Sequence, residues 1–356
     1  MRPLLLFPIL ISTLVAQVPS VPVTPAQRSA VVEALAKALK ERYVFPEVGE
    51  KVAKALSEKA KTGAYDTASF APEFAEALHK DLRELGKDGH FRVRFMPDFQ
   101  AGPEEERAPT EKEVEEMRLQ AARNGFGIAR TEILPGNVGY LDVRGFPPTE
   151  FAGPAISSAL ALLSGTDALV LDLRQNGGGS PDCVAYLVSH FFAVGDERHI
   201  NDIYSRAQNS TRQFWTSPTV SPRYTKPMWI LTSGFTFSGG EECAYDFQTQ
   251  KRATLVGEIT GGGANPGDMV PLTHGFVTFI PTGRAVNPVT KTNWEHVGVV
   301  PELKTPAADA LRVAHLEALK VLIGTEKNDL RKTRLEKTKA MVEKGETEPP
   351  RWSRAK

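Results

Sequence analysis

The stretch ALVLDLRQNGGG, residues 168–179, predicts a buried strand that runs directly into a glycine-rich turn. Its first six residues are almost all apolar, which is typical of a strand covered on both faces of a parallel sheet. Outward from it, the patterns predict strands at residues 138–143, 228–231 and 253–257, and helices at residues 154–163, 182–192 and 240–250. This alternation of strands and helices predicts an α/β core.

The segments that flank this core differ from it in composition. We predict a small helical N-terminal domain (residues 25–97), a linker rich in proline and charge that enters a helix near residue 111 (98–136), the core domain (137–306) and a charged helical extension (307–356). Alternation at residues 275–280, followed by a Pro-Thr-Gly turn, predicts a hairpin near the end of the core.

The first residues have the pattern of an export signal. MRP at residues 1–3 precedes an apolar run at residues 4–15, which predicts a signal peptide cleaved near Ala16. The run is shorter than the ~20 residues that a membrane-spanning helix needs. We therefore expect an exported protein, periplasmic or extracellular, without an integral membrane span; a buried or interfacial helix is the alternative.

The charge balance and the cysteine content indicate which partners and cofactors to expect. Lys+Arg and Asp+Glu both number 43, so no overall field favours nucleic acid as a partner. Cys183 and Cys243 could form a disulfide in an oxidising compartment or remain free thiols in the core. No group of His, Asp, Glu or Cys has metal-ligand spacing, so we expect neither a metal ion nor a cofactor.

The glycine-rich turn after the central strand is the first chemical signal. Such a turn exposes backbone N–H groups, which can hold a phosphate or an oxyanion. No Gly-Lys-Ser/Thr follows, and Asp182 stands where a G-x-G-x-x-G motif needs its third glycine. The pattern therefore favours an oxyanion site over a phosphate site, with a tight turn that binds nothing as the alternative.

The second signal is TFSGGEE, residues 236–242, between a predicted buried strand and a helix. Ser238 is uncrowded there, because Gly239 lets another backbone approach closely and offers an N–H beside the hydroxyl. Glu241 and Glu242 suit the positive end of a helix. Ser238 is thus either a nucleophile or an ordinary helix N-cap.

Together these segments resemble the tail-specific, or C-terminal-processing, serine protease family. They are most similar to its branch with the tricorn protease core and the interphotoreceptor retinoid-binding protein repeats. The resemblance covers roughly residues 31–302 and rests on five pieces in the family order: DGH (88–90), DLRQNGGG (172–179), TFSGGEE (236–242), VGEITGGG (256–263) and WEHVGVVPE (294–302).

The resemblance implies a crotonase-like (ββα-superhelix) catalytic core and a serine peptidase in which Ser238 attacks the scissile carbonyl. Many members place a lysine base on the glycine loop after the Val-Gly-Glu strand, where this chain has glycine at 261–263. By resemblance to the tricorn-like branch, we assign the base to His90 and its support to Glu295. Without the resemblance, His90 would be interpreted as a structural histidine and Glu295 as a surface carboxylate.

Several details depend on this assignment. The predicted oxyanion hole combines the N–H of Gly239 with that of Gly177 or Gly178. His296 is a rival base, but adjacent residues on an extended chain point to opposite sides. Gly89 stands where the branch has an additional serine, which puts a fourth relay residue in doubt.

Substrate choice is a further expectation. Typical family members carry a PDZ domain before the core, but the interval of residues 95–137 is too short for one. We expect polypeptide substrates, selected by the cleft or through a homo-oligomer. Two other functions remain open: a hydrophobic-ligand-binding protein of the retinoid-binding type, and an acyl-group enzyme, which export would separate from cytosolic thioesters.

Overall fold

The computed structural model describes residues 21–99 and 110–346, so the predicted signal peptide (1–16) lies outside the described residues. The helices are α1 (Pro25–Arg42), α2 (Pro46–Lys61), α3 (Ala71–Gly86), α4 (Glu111–Arg123), α5 (Thr149–Leu163), α6 (Pro181–Ser189), α7 (Gly239–Thr249), α8 (Ala307–Thr325) and α9 (Asp329–Glu343). The strands are β1 (Arg92–Phe95), β2 (Ile128–Leu134), β3 (Val138–Val143), β4 (Ala168–Asp172), β5 (His199–Ser205), β6 (Ser210–Trp215), β7 (Met228–Thr232), β8 (Thr254–Gly257), β9 (Gly267–Pro271), β10 (Phe276–Pro281), β11 (Gly283–Val286) and β12 (Leu303–Lys304).

A six-stranded sheet in the order β12-β8-β7-β4-β3-β2 forms the centre of the core. All neighbours are parallel except β2 and β3. Residues of β4 alternate between two apolar clusters: Leu169 and Leu171 pack with α5, α6 and α7, whereas Val170 packs with α8. Helices thus cover both faces, which explains why β4 is apolar throughout. The predicted α/β core is confirmed.

The N-terminal helices attach to the core through a second sheet. β1 pairs with β10 in the order β1-β10-β9, and Phe276 and Ile280 of β10 pack into the apolar cluster of α1, α2 and α3. His90 lies two residues before β1. This pairing therefore brings His90 next to two segments singled out in the sequence, the glycine loop at residues 261–263 and the segment that contains Glu295.

The predicted hairpin at residues 275–280 is wrong in its partner. β10 pairs with β9 before it, whereas β11 after the Pro-Thr-Gly turn pairs with β5 in another sheet. The N–H groups of Thr282 and Gly283 both donate to the carbonyl of Pro266. These bonds hold the chain where it crosses between sheets, so the turn is a crossing point and not a hairpin loop.

No described helix combines the length and the apolar character needed to cross a lipid bilayer.

Candidate active site

Ser238 occupies a strained position at the junction of β7 and α7. Its backbone angles are φ 53° and ψ −122°, outside the regions that an L-residue adopts easily. The N–H of Phe237 donates to the carbonyl of Asn176 at 3.0 Å, and the N–H of Ser238 donates to Glu241 Oε2 at 2.9 Å. Strain held in place by surrounding bonds is typical of functional positions.

Glu241 ties the nucleophile turn to the glycine loop that follows β8. Its buried carboxylate also accepts the N–H groups of Gly262 and Gly263 at 2.7 and 2.8 Å and the hydroxyl of Thr260 at 2.5 Å. Burial raises the pKa of Glu241, and these hydrogen bonds lower it. From the sequence, Glu241 was expected only to interact favourably with the helix dipole; in the structure its carboxylate also joins the turn of Ser238 to the glycine loop after β8.

The glycine-rich turn after β4 packs directly against Ser238. A Cβ added at Gly178 would lie 2.8 Å from Ser238 Cβ, so only glycine permits this approach. However, the N–H of Gly178 donates to Asn176 Oδ1 at 2.8 Å, and the N–H of Gly177 donates to the carbonyl of Arg144 at 3.3 Å. Neither of these two predicted oxyanion donors is therefore free.

Two other N–H groups at the turn have no acceptor within the described residues, those of Gly179 and Gly239. They lie close together, since a Cβ on Gly239 would be 3.0 Å from the nitrogen of Gly179. Asp172 and Arg174, where β4 runs into the turn, form an ion pair at 2.6 Å. Gly239 and Gly179 are thus the donors available to an oxyanion.

His90 is buried between two aromatic rings. Its ring centroid lies 4.6 Å from that of Phe237 and 5.9 Å from that of Phe279, and its side chain is 11% exposed. Within the described part of the chain, neither imidazole nitrogen has a hydrogen-bond partner, and Asp88 Oδ1 lies 3.9 Å from Nδ1. Burial, followed by the charges of Arg92 and Arg83, lowers the pKa of His90 to about 4. The imidazole is therefore neutral at physiological pH and free to accept a proton.

Glu295 lies beside His90 with one carboxylate oxygen unused. Its Oε2 accepts the N–H of Ala264 at 2.5 Å, and its Oε1 is buried without a partner. Burial, then the charge of Asp88, raises the pKa of Glu295 to about 7. His296 Nδ1 lies 3.6 Å from Oε1, and a ring nitrogen of His90 lies within 4.8 Å of the carboxylate, so Glu295 is placed to face a positive charge on either histidine.

Asp88 is the site residue whose role the sequence analysis missed. Its Oδ1 accepts the N–H of His90 at 2.9 Å, and its Oδ2 accepts the hydroxyl of Tyr43 at 3.2 Å and the amide of Asn265 at 2.9 Å. Burial raises the pKa of Asp88. The Asp-x-His spacing is the local signal for the first contact; nothing in the sequence links Tyr43 or Asn265 to it.

One oxygen or nitrogen atom from each of Asp88, His90 and Glu295 lies within 4.8 Å of the others. Three such ligand atoms are enough to hold a metal ion, whereas the sequence predicted none because it shows no metal-ligand spacing. His296 is 55% exposed, with its Nδ1 3.6 Å from Glu295 Oε1. The buried His90 is thus better isolated from water than its rival.

The structure brings His90 and Glu295 together but does not join His90 to Ser238 by a hydrogen bond. Phe237, the residue before Ser238, occupies the face of the imidazole. A Cβ on Gly263 would lie 2.3 Å from Phe237 Cζ and 2.9 Å from His90 Cε1. The glycine loop therefore leaves room for the Phe237 ring and the imidazole together.

Both cysteines are buried free thiols in the structure, the second of the two alternatives that the sequence left open. Burial raises the pKa of the Cys183 thiol to about 12 and that of Cys243 well above its usual value. Cys183 lies on α6 and Cys243 on α7, the helices that begin after the glycine-rich turn and the turn of Ser238.

Two protein-family models match the sequence. The model of peptidase family S41 matches residues 137–305, and the model of the N-terminal domain of peptidase S41 in eukaryotic IRBP matches residues 15–131. The second match agrees with the retinoid-binding-protein branch predicted from the sequence.

Curated relatives include carboxyl-terminal-processing peptidase 2, chloroplastic, of Arabidopsis thaliana, 28% identical over 49% of this chain and 34% of that protein. The carboxy-terminal-processing protease of Bartonella bacilliformis is 27% identical over 47% of this chain and 38% of that protein. The chain thus spans little more than a third of the length of these relatives.

Solved structures agree in fold. Mature CPAF superposes with a TM-score of 0.58 at 12% identity, and a lipoprotein from Streptococcus agalactiae with 0.51 at 14%; each covers 85% of this chain and 99% of the other. The two family models together cover most of the sequence, from the helical N-terminal unit through the mixed-sheet core. The chain belongs to peptidase family S41, a family of serine-type hydrolases.

Proposed function

We propose that the chain hydrolyses peptide bonds of polypeptides through an acyl-enzyme, with Ser238 as nucleophile, His90 as general base and Glu295 as the support of the base. One observation carries the proposal most directly: a strained serine at a helix start faces two free backbone N–H groups, beside a buried neutral histidine. Ser238 is also the N-cap of α7, a role that by itself requires neither the strain nor the free N–H groups.

In the proposed reaction, His90 takes the proton of the Ser238 hydroxyl as the oxygen attacks the scissile carbonyl. The oxyanion then accepts the N–H groups of Gly239 and Gly179, which replaces the Gly177 or Gly178 donor expected from the sequence. His90 next gives its proton to the leaving amine, and water hydrolyses the acyl-enzyme. The unpartnered Oε1 of Glu295 stabilises the imidazolium in both steps.

This chemistry needs one local rearrangement. The Phe237 ring must shift from the imidazole face, or the Ser238 rotamer must change, before the hydroxyl can reach His90. Catalytic hydrogen bonds commonly form only when substrate is bound. We infer, in addition, that the protein acts after export and that its catalytic core is crotonase-like. Its substrates would be selected by the cleft or through a homo-oligomer, without a PDZ domain.

Labelling with a fluorophosphonate probe tests the proposal. The folded protein should be labelled at Ser238, and Ser238→Ala should lose both the label and the hydrolysis of unfolded casein, since triad losses cost roughly 10⁴-fold or more. Ser233→Ala is the matched control and should retain both. Absence of labelling in folded protein would favour the alternative, a ligand-binding protein of the retinoid-binding type.

A further inference from the structure

A groove of about 940 Å³ runs from the glycine-rich turn after β4 to helix α4. Its wall is mostly apolar, and we call it the α4 groove; its lining includes Met117 of α4, Ile128 of β2, Arg144, Gly145, Phe146 and Gly178. The volume lies at the upper end of what ligand pockets occupy in proteins. Met117 is 45% exposed on the wall although it is a large apolar side chain.

The groove is continuous with the catalytic turn. The N–H of Phe146 donates to the carbonyl of Gly178 at 2.9 Å, and the N–H of Ser180 donates to the carbonyl of Phe146 at 2.7 Å. Gly178 is also the residue that packs on Ser238. A chain lying in the groove would thus pass within reach of the nucleophile without a change in fold.

The lining of the groove contains a backbone N–H donor without an acceptor, and its ionisable groups are one acid and one base. Among the described residues, no group accepts the N–H of Gly145, which lines the groove between two hydrogen-bonded neighbours. Its ionisable groups are Glu116 and Arg144, and the guanidinium of Arg144 already pairs with Asp142 at 2.9 Å. A free N–H on an extended segment is the feature by which a groove pairs with a peptide backbone.

We propose that the α4 groove binds an extended, apolar stretch of the polypeptide substrate next to the scissile bond, so that α4 and not a separate domain selects the substrate. The proposal rests on the peptidase function above. Apolar side chains would pack on Met117 and Ile128, and the peptide backbone would pair with Gly145. The hydrocarbon chain of a lipid would fill the same apolar surface but offers no acceptor to the Gly145 N–H.

The test measures binding apart from hydrolysis. In the Ser238→Ala background, a fluorescent peptide with a Leu/Phe-rich stretch should bind, and a peptide with Asp at the same positions should bind at least tenfold more weakly, because its carboxylates would lose water on an apolar wall. Met117→Glu should weaken binding of the apolar peptide by roughly tenfold to a hundredfold.

Leu119→Glu is the matched control. It introduces the same charge on the same helix, at a side chain that is 40% exposed and outside the groove lining, and should leave affinity unchanged. Circular dichroism and Tm show that both variants are folded. Equal affinities for the two Glu variants would overturn the proposal, as would Met117-dependent binding of oleic acid without binding of the peptide. Fluorophosphonate labelling reports separately on the peptidase function.

Discussion

The ring of Phe237 rests against the imidazole of His90, with centroids 4.6 Å apart, although Phe237 is the direct neighbour of Ser238. Burial is the first cause of the low pKa of His90. Phe237→Ala should therefore raise the pKa of His90 towards its usual value, which an NMR titration of its ring protons would measure. Phe235→Ala, at a side chain that is 66% exposed, is the control. An unchanged His90 titration in Phe237→Ala would mean that the ring does not shield the base.

The pH dependence of hydrolysis should follow Glu295 and not His90. Burial lowers the pKa of His90 to about 4 and raises that of Glu295 to about 7. His90 is then already neutral, and kcat/KM should rise as Glu295 ionises through about pH 7. Glu295→Gln should lower the rate and remove this limb, whereas His296→Asn should keep it. A limb near pH 7 that survives in Glu295→Gln would rule out this assignment.

The same carboxyl should make the protein more stable in mild acid. Folded Glu295 keeps its proton up to about pH 7, while the unfolded group releases it near 4.5, so this contribution to stability is present below pH 4.5 and is lost as pH rises through 7. The loss amounts to at most about 3 kcal/mol. Glu295→Gln should thus raise Tm at pH 8 and leave it nearly unchanged at pH 4.5. Equal Tm differences at both pH values would show that Glu295 does not titrate this way.

The two thiols should resist chemical modification. Cys183 and Cys243 are fully buried and their pKa values are raised, so the reactive thiolate is scarce and inaccessible. An aromatic disulfide reagent should titrate no thiol in the native protein and both in guanidinium chloride. If thiols appear in the unfolded protein only after a reductant is added, Cys183 and Cys243 form a disulfide and the expectation of two free thiols fails.

Local sequence patterns predicted many of the helices and strands, but they did not predict the hydrogen bonds and pKa shifts of the candidate site. The strand at residues 138–143 and the helix entered at Glu111 appear where the sequence placed them, because apolar periodicity and capping are local. The partner of β10 was mistaken because strand pairing depends on distant residues. Likewise, the Asp88 network joins Tyr43 and Asn265 across the N-terminal unit and the core, and no spacing rule reveals such contacts.

The glycine at position 263 has a consequence for how this peptidase could have diverged. Any side chain there would meet the Phe237 ring at 2.3 Å, so a lysine cannot be introduced on this loop while the ring and His90 stay in place. A lysine base and a histidine base are thus competitors for one space. A chain that exchanged its histidine base for a lysine at this position would therefore also have to displace the Phe237 ring.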